Sequence, residues 1–510
     1  MGRNMTEVVK RVFAFTCLIA MATAADSGNC YGQVSGTLVV NAKMPPGPSD
    51  VERFLKLVAD DRRVVVVTAD RETVRRFSDQ YVDSSNRTLI FTKRLEPHLV
   101  SNQSNGWDAI WISGAEENAR LDVVQLNELL NDGKVVALDR SAARQSFKKA
   151  EPSTSPEESS PTAEQWQELS RVRLRFAGDD IDAGIQDGRL EFELLSDTQL
   201  FVAGRRVWSA GGEAKIKMPG SAEEPAVEFK IGGKPIDLVA AQRSLRDRLK
   251  GQRAIAKSRR VDSGTLLLAG GGSISGDILN RFVALAGADR ADIVVLPTAA
   301  PDPIPEQQWI ATAFRGAGAG SVTVLLDRDR NAVESKEFLA AIRRGTGIWF
   351  GGGRQWRFVD AYEGTKALDA MRGVLERGGI IGGSSAGASI QGDYLARGNP
   401  LGNWNIMAEG YERGFAFFPG TAVDQHFSQR KRLPELQALV KKHPTVLGVG
   451  IDEGTAIVVT ADQAETIGAG AAYFVSPDIA QKKPTNSEQP PFVRLDSGKR
   501  FDLVELSTIE

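Results

Sequence analysis

Residues 382–388 read Gly382-Gly383-Ser384-Ser385-Ala386-Gly387-Ala388 and follow a strand-like apolar run. Ser385 stands at the centre of a G-x-S-x-G pattern. The flanking glycines allow the sharp bend from a strand into a helix that lifts a serine hydroxyl above a sheet. The chain has 51 glycines in 510 residues, so this pattern needs partner residues before it indicates catalysis.

The chain has three histidines, and a nucleophilic serine needs an imidazole nearby to take its proton. His98 lies far upstream in a polar segment. His443 has the pattern of a cation that ends a helix before Pro444. His426 is therefore the candidate base for Ser385, and its alternative explanation is a packed or surface histidine beside an aromatic residue.

Glu453 is the candidate for the third catalytic group. It follows the apolar run 446–451, at the predicted end of a strand. Catalytic groups collect at strand ends in open α/β sheets. The alternative explanation is an ordinary exposed carboxylate in a loop. The three candidates occur in the chain order Ser385, His426, Glu453.

Short β-rich runs alternate with helix-like segments in the second half of the chain. The predicted strands are residues 265–268, 293–296, 347–350 and 379–382, and the predicted helices are 275–286 and 335–344. This alternation predicts an α/β fold with a mostly parallel sheet and helices on both faces. The nucleophile is then expected at the carboxyl end of a central strand.

Residues 264–460 resemble the cyanophycinase branch of the S51 serine peptidases. Five motifs carry the resemblance, in order: the strand 264–272 ending in three glycines, the turn Gly351-Gly352-Gly353-Arg354-Gln355, the serine elbow, the block Asp424-Gln425-His426-Phe427 and the block 450–456, Gly-Ile-Asp-Glu-Gly-Thr-Ala. The resemblance implies the fold of class I glutamine amidotransferase-like hydrolases, with serine in place of their cysteine.

The resemblance also implies residue roles. Ser385 is the expected nucleophile, His426 the general base and then acid, and Glu453 the group that orients the imidazole. The positions that match the substrate pocket of the family are Gln355, Asp424, Gln425, Arg430 and Arg432.

Physical reasoning adds an oxyanion site made by backbone N–H groups of Ala386, Gly352 and Gly353, because glycine lets main chain approach a reacting carbonyl closely. No metal or cofactor is expected. Arg430 and Arg432 add positive charge suited to a carboxylate-rich substrate. The alternative explanation for these arginines is a run that coats the start of a helix.

The implied substrate is cyanophycin, a polyaspartate that carries arginine on its side-chain carboxyls, and the implied products are β-aspartyl-arginine dipeptides. The chain departs from the family pattern at two positions. Arg354 stands where an asparagine is usual, and Glu435 lies where a further arginine is usual. Two alternatives therefore stay open: a peptidase for other β-aspartyl peptides, and a catalytically silent protein that binds acidic peptides.

The N-terminus predicts export. Arg3, Lys10 and Arg11 precede the apolar run 12–20, and residues 22–24 offer a small-residue cleavage site, so residues 1–25 are predicted to be a signal peptide. The mature protein is then expected in the periplasm or outside the cell, with no membrane anchor. Cleavage removes Cys17, leaves Cys30 and so precludes an intramolecular disulfide. A net charge of −2 argues against nucleic acid as a partner.

The first half echoes the second half. Thr37-Leu38-Val39 parallels Thr265-Leu266-Leu267, residues 108–114 parallel 346–352, and residues 197–202 parallel 454–459. We therefore predict two tandem copies of the fold: a degenerate domain at residues 30–250, with a Pro/Ser/Glu-rich loop at 148–165, and a catalytic domain at 263–510. The alternative explanation is that any two α/β domains share short apolar strands bounded by glycines.

The predicted first copy lacks the catalytic groups. Its elbow equivalent, residues 138–142, has no flanking glycines, Ser196 falls opposite Glu453, and no histidine corresponds to His426. Ser141 lies close to the nucleophile position but has no base to activate it. Two assemblies are compatible with this organisation: a homodimer, or a pseudo-dimer within one chain in which the first copy takes the place of a partner.

Overall fold

The computed structural model of the chain describes residues 37–41, 48–58, 63–68, 71–81, 88–92, 109–113, 125–126, 129–130, 134–139, 142–143, 172–176, 190–195, 197–218, 226–306, 308–479 and 490–509. These residues form two compact units. The N-terminal unit comprises the described parts of residues 32–254 together with residues 397–412, and the C-terminal unit comprises residues 255–396 and 413–510.

The N-terminal unit is built from twelve described strands and three described helices. The strands are β1 (Thr37–Asn41), β2 (Arg63–Thr68), β3 (Thr88–Thr92), β4 (Ala109–Ser113), β5 (Val135–Asp139), β6 (Val172–Phe176), β7 (Leu190–Leu194), β8 (Gln199–Ala203), β9 (Arg206–Ala210), β10 (Ala214–Met218), β11 (Val227–Ile231) and β12 (Ile236–Asp237). The helices are α1 (Pro48–Leu55), α2 (Arg71–Tyr81) and α3 (Leu238–Lys250).

Two sheets organise these strands. The larger sheet has the order β12-β9-β8-β1-β5-β4-β2-β3. Its strands from β1 to β3 are parallel, whereas β8, β9 and β12 are antiparallel to their neighbours. The smaller sheet has the order β11-β10-β7-β6, in which only the β6–β7 pair is parallel among the described strands.

The C-terminal unit contains fourteen described strands. They are β13 (Val261–Ala269), β14 (Asp292–Leu296), β15 (Ser321–Val324), β16 (Gly347–Phe350), β17 (Ile380–Ser384), β18 (Gly392–Tyr394), β19 (Phe418–Gln425), β20 (Leu447–Ile451), β21 (Thr455–Ala461), β22 (Gln463–Gly468), β23 (Ala471–Val475), β24 (Phe492–Asp496), β25 (Arg500–Asp502) and β26 (Ser507–Ile509).

Eight described α-helices accompany the strands of the C-terminal unit. They are α4 (Gly276–Ala286), α5 (Trp309–Gly316), α6 (Arg330–Val333), α7 (Lys336–Arg344), α8 (Gln355–Tyr362), α9 (Lys366–Glu376), α10 (Ala386–Ser389) and α11 (Leu433–Lys442). Ser335 and Thr365 cap the first turns of α7 and α9, where their hydroxyls accept hydrogen bonds from backbone N–H groups.

The larger sheet of the C-terminal unit has the order β15-β14-β16-β17-β13-β21-β22-β25-β26. The strands from β15 to β13 are parallel, and those from β21 onward are antiparallel. The smaller sheet has the order β18-β19-β20-β23-β24. The expected α/β fold is confirmed, and the sheets are mixed because antiparallel strands extend the parallel core.

Local sequence explains why these elements form. The last four residues of β14 and all four of β16 are buried, and their continuous apolar sequences suit parallel strands covered on both faces. The helix predicted at residues 275–286 is confirmed as α4. It ends at Gly287, which adopts φ 117°, a conformation that favours glycine.

Three aromatic rings pack together in the core of each unit. They are Phe54, Phe77 and Trp111 in the N-terminal unit, and Phe282, Phe314 and Trp349 in the C-terminal unit. Each tryptophan lies on a central parallel strand, and the phenylalanines come from the first two helices of the same unit. Ring centroids within each trio lie between 5.1 and 6.1 Å apart. The trios therefore attach the helices to the sheets.

Residues 397–412 depart from the predicted domain boundaries, because they lie inside the predicted second domain, 263–510, but pack with the N-terminal unit. The reason is a set of polar contacts. Arg205 pairs with the carboxylate of Asp237 and also donates a hydrogen bond to the Tyr411 hydroxyl at 2.6 Å. Local sequence patterns cannot predict the contact between Arg205 and Tyr411, because the two residues are about 200 positions apart in the chain.

Several predictions fall on residues outside the described ranges: the signal peptide at 1–25, Cys17 and Cys30, the loop at 148–165, and the positions His98, Ser141 and Ser196. Among the described residues, no helix combines the length and the apolar character needed to cross a bilayer.

Candidate active site

Ser385 lies between β17 and the short helix α10, at the carboxyl end of a central strand. Its backbone has φ 56° and ψ −115°, a strained conformation for a residue with a side chain. Two glycines make this turn sterically feasible. A Cβ on Gly383 would lie 2.4 Å from the carbonyl oxygen of Gly387, and a Cβ on Gly387 would lie 2.1 Å from that of Phe350.

His426 follows β19 and faces the serine. The Ser385 hydroxyl donates to Nε2 of His426 over 2.9 Å, and Nδ1–H of the same ring donates to Oε1 of Glu453 over 2.6 Å. Glu453 lies in the turn that joins β20 to β21. The ionised carboxylate can only accept, so it selects the tautomer with the proton on Nδ1 and leaves Nε2 free to accept from serine.

The surroundings of His426 lower the pKa of its imidazole below the ordinary value. Burial is the largest cause, because it disfavours the charged ring, and the positive charges of Arg430 and Arg432 act in the same direction. The hydrogen bond and charge of Glu453 oppose this effect. The lowered pKa favours the neutral imidazole, which is the state that can accept a proton from serine.

Backbone N–H groups adjoin the serine at two places. Ala386 is the first residue of α10, and the Cβ position of Gly352 lies 3.6 Å from the Ser385 Cβ. Within the described part of the chain, neither N–H donates to a protein acceptor. Gly353 has a different environment, because its Cβ position would meet the carbonyl oxygen of Ala299 at 1.9 Å.

The family model described as peptidase family S51 matches residues 266–467. A cyanophycinase from Geminocystis herdmanii is 33% identical over 202 residues, which cover 39% of this chain and 74% of that protein. The chain belongs to peptidase family S51.

A second relative and one solved structure are also similar to this S51 chain. A Synechococcus elongatus cyanophycinase is 36% identical over 203 residues, which cover 39% of the chain and 63% of the relative. A solved peptidase from an acI-B1 actinobacterium covers 47% of the chain and 97% of its own length, at 19% identity and a TM-score of 0.38. The region that matches the family model lies entirely in the second half of the chain.

The five predicted pocket residues divide into buried and exposed groups. Arg432 forms a buried ion pair with Asp424 over 3.1 Å, with side-chain exposures of 4% and 0%, and it also donates to the side-chain oxygen of Gln425 over 2.8 Å. Gln355 is buried at the start of α8, whereas Arg430 is exposed. The charge of Arg432 is therefore directed into the protein, and only Arg430 presents its charge to solvent.

The two departures from the family pattern have different environments. Arg354 is half-buried before α8, and burial together with the neighbouring charge of Arg357 lowers its pKa. Glu435 lies in the first turn of α11, where the partial positive charge of a helix N-terminus stabilises a carboxylate. The acidic residue at this position thus has a local structural explanation.

Sequence reasoning missed two groups that border the predicted triad. Cβ atoms added to Gly271 and Gly272 would overlap the side chains of His426 and Glu453, although the sequence indicated only that these glycines end a strand. Asp452 is buried and accepts two backbone hydrogen bonds, from Ser428 and Ala471. The run Asp452-Glu453 directly after a strand was the sequence signal that could have identified Asp452.

Among the described residues, no cluster of three or more His, Cys, Asp or Glu could hold a metal ion.

Proposed function

We propose that the chain is a serine peptidase that cleaves amide bonds through an acyl-enzyme on Ser385. The supporting observation is the hydrogen-bonded series from Ser385 through His426 to Glu453, with separations of 2.9 and 2.6 Å. A nucleophile within reach of a base, itself oriented by a third group, is the arrangement that acyl transfer requires. The strained backbone at Ser385 adds support, because such strain collects at functional sites.

In the proposed mechanism, Oγ of Ser385 attacks the scissile carbonyl carbon while Nε2 of His426 takes the hydroxyl proton. Glu453 stabilises the imidazolium. The imidazolium gives the proton to the leaving amine, the C–N bond breaks, and an ester remains on Ser385. Water then loses a proton to His426 and attacks the ester, and the acid product leaves as the proton returns to Oγ.

The negative oxygen of each tetrahedral intermediate needs fixed hydrogen-bond donors. We propose the N–H groups of Ala386 and Gly352 for this role, because both adjoin Ser385 and neither has an acceptor within the described residues. Gly353 was also predicted to donate. Its tight fit against Ala299 instead supports a role in shaping the turn that carries Gly352.

The proposed substrate is cyanophycin, and the proposed products are β-aspartyl-arginine dipeptides. Support comes from the relatives, which are named cyanophycinases. Arg430 is exposed and close enough to His426 to lower its pKa, so it can bind a substrate carboxylate near the nucleophile. The buried pair of Arg432 and Asp424 is proposed to hold Gln425 in place at the same edge.

Other β-aspartyl peptides are the second candidate substrate class. The observation that favours them is the pair of departures at Arg354 and Glu435. A half-buried arginine beside Arg357 adds positive charge close to the turn at Gly352 and Gly353. Such a site suits a substrate with an additional carboxylate better than one with an additional guanidinium.

The test is incubation of the purified chain with cyanophycin and with a panel of β-aspartyl dipeptides, followed by mass spectrometry. Ser385→Ala is the matched control. Release of β-aspartyl-arginine by the unmodified chain alone would support the first substrate. Cleavage of the panel without release from cyanophycin would support the second substrate class.

A serine-directed acylating reagent separates the peptidase from the silent binding protein. The reagent is expected to modify Ser385, and His426→Ala is expected to abolish the modification. If the folded chain cleaves no peptide and resists labelling, the peptidase proposal is wrong and the binding alternative gains support.

We also propose that the N-terminal unit is a degenerate copy of the C-terminal unit. The strand order of its larger sheet, from β3 through β1 to β12, corresponds to the order from β15 through β13 to β25. Unusual backbone conformations support the correspondence. Asp197, Gly204 and Gly211 have positive φ, as do Gly454, Ala461 and Gly468 at matching positions.

We make two further proposals, on the export of the chain and on its assembly. The predicted signal peptide at residues 1–25 leads us to propose a periplasmic or extracellular protein, and an intact Met1 on protein from fractionated cells would contradict this. The duplicated organisation leads us to propose a pseudo-dimer within one chain. Sedimentation that gives a dimer of full-length chains would favour the homodimer instead.

A further inference from the structure

Three consecutive carbonyl groups at the end of β13 lie at the centre of the active site. The carbonyl oxygen of Ala269 accepts from the N–H of Ser385 over 3.0 Å. The next carbonyl, that of Gly270, accepts from the N–H of His426 over 2.7 Å. The third, that of Gly271, accepts from the N–H of the residue after Glu453 over 3.0 Å. One short stretch of backbone thus holds all three parts of the proposed triad.

The glycines of this stretch also touch the catalytic side chains. Gly271 has φ 100°, and a Cβ built on it would lie 2.3 Å from Cε1 and 2.5 Å from Nε2 of His426. Gly272 has φ 67°, and its Cβ position lies 2.9 Å from the Cβ of Glu453. The imidazole therefore lies directly against the Cα of Gly271, in space that any other residue would fill.

Asp452 connects the segment after His426 to the strand beyond Glu453. Its buried carboxylate accepts from the N–H of Ser428 over 2.9 Å and from the N–H of Ala471 over 3.2 Å. A carboxylate that accepts two backbone N–H groups makes strong, directional bonds. The segment after His426 is thereby tied to the residue that precedes Glu453 and to β23.

Backbone strain explains why such bracing is needed. Ser385 has φ 56° and His426 has φ 49°, although neither residue is glycine. Conformations of this kind are strained for residues with a side chain and persist only where surrounding contacts fix them. The carbonyl oxygens of Ala269 and Gly270 supply such contacts, since each accepts from the strained residue itself.

We propose that Gly271 is a positioning residue, which sets the place of the His426 ring between Ser385 and Glu453, with Asp452 as a brace for the backbone segment that follows His426. The proposal rests on the proposed function, because it assigns the imidazole a catalytic task. The side chain nearest to the Cβ position of Gly271 is the imidazole itself. The effect of Gly271 is therefore expected on the chemical step and not on substrate binding.

Gly271→Ala tests the steric part of the proposal. Carbon atoms pack at about 3.5–4.0 Å, so the ring must move by about 1 Å to accept the new methyl group. A misplacement of about 1 Å can lower a rate about 100-fold. We expect kcat to fall by about that factor while KM stays within about threefold.

Gly318→Ala is the matched control, because Gly318 has a similar φ of 92° with no atom within 4 Å of its Cβ position. The two variants carry similar backbone strain, and only Gly271→Ala adds a contact with the ring. Equal loss of kcat in the two variants, or no loss in Gly271→Ala, would overturn the proposal.

A second readout does not depend on hydrolysis. The chain has three histidines, so the imidazole N–H proton shared with Glu453 can be assigned by NMR with His426→Ala. Gly271→Ala is expected to shift or broaden this resonance, and Gly318→Ala is expected to leave it in place. If the unmodified chain cleaves nothing yet this pattern holds, the proposed function fails and the positioning role survives.

Asp452→Asn keeps the inference testable if Gly271→Ala does not fold. The amide retains one acceptor and loses the other, so the segment at Ser428 loosens while the side-chain shape is kept. We expect a fall of about tenfold in kcat, a melting temperature within a few degrees of the original, and a broadened His426 N–H resonance. An unchanged resonance and an unchanged kcat in a folded Asp452→Asn chain would contradict the bracing role.

Discussion

The larger sheets of the two units have the same order over eight strands, whereas the sequences that follow the strands differ. In both, a central parallel strand carries a buried tryptophan that packs against phenylalanines from two helices. In the C-terminal unit the segments after β13, β17, β19 and β20 converge on Ser385, His426 and Glu453. The sheet and its aromatic core thus maintain the fold, whereas the turns at the strand ends carry the residues proposed for the chemistry.

The proposed duplication assigns sequence positions of the N-terminal unit to the proposed catalytic groups. Asn41 pairs with Asp139 as Ala269 pairs with Ser384, so Arg140 follows in sequence where Ser385 follows in the other unit. The residues after Asn41 are Ala42 and Lys43, where the C-terminal unit has Gly270 and Gly271.

The N-terminal sequence also differs at the position that adjoins the histidine in the C-terminal unit. In the proposed alignment of the two copies, Lys43 corresponds to Gly271, whose Cβ position lies against the imidazole. Loss of the glycine and loss of the histidine are thus expected to go together.

The largest expected effect is the loss of hydrolysis in Ser385→Ala. Removal of a serine nucleophile lowers kcat about 10⁴–10⁶-fold, because the acyl-enzyme can no longer form. Ser141→Ala changes the serine next to the corresponding position of the N-terminal unit and is expected to leave kcat unaltered. The measurement is steady-state hydrolysis by the full chain. A comparable loss in Ser141→Ala would end the contrast between an active and an inactive unit.

Glu453→Gln is expected to lower kcat by about 10⁴-fold, because an amide selects the wrong tautomer of the imidazole. It also removes the group that raises the pKa of His426, so the acid limb of the kcat/KM profile should move to lower pH. Glu465→Gln, a surface carboxylate that pairs with Arg281, is the control. A profile that moves to higher pH would show that Glu453 does not stabilise the imidazolium.

The aromatic trios allow the stabilities of the two units to be compared. Trp349→Ala and Trp111→Ala each leave a large cavity in a buried core and are expected to cost about 3–5 kcal/mol. Hydrogen exchange followed by unit-specific mass spectrometry measures the two effects separately. Trp404→Ala is the control, because this side chain is 66% exposed and should change stability by less than about 0.5 kcal/mol. A loss of stability for only one of the two tryptophan variants would show that the aromatic cores of the two units are not equivalent.

The smallest expected effect comes from Arg430→Gln. The charge of Arg430 lowers the pKa of His426, so its removal should raise that pKa and move the acid limb of kcat/KM to higher pH. Because Arg430 is exposed, the shift should shrink as salt is added. Lys431→Gln, the neighbouring exposed change, is the control. A shift to lower pH would contradict the electrostatic explanation.

Much of the α/β fold could be predicted from the sequence alone. Alternating apolar runs and helical segments indicated the α/β fold, and β16 matches its predicted bounds, 347–350. The glycines around Ser385 indicated the elbow, and the scarcity of histidine selected His426. The fold inference succeeds because periodicity is a local property, which the chain carries wherever it folds. The roles of Ser385 and His426 stay predictions, and the structure brings the two side chains within 2.9 Å of each other.

Only the tertiary structure revealed how the site is held together. The contact between Gly271 and His426 joins residues 155 positions apart in sequence, and no local pattern encodes which ring will fill the space beside a glycine. The same holds for Arg432, whose charge was expected to face a substrate but pairs with buried Asp424. Such partners are chosen by packing and by the desolvation of charge, and both depend on which strands become neighbours in the folded sheet.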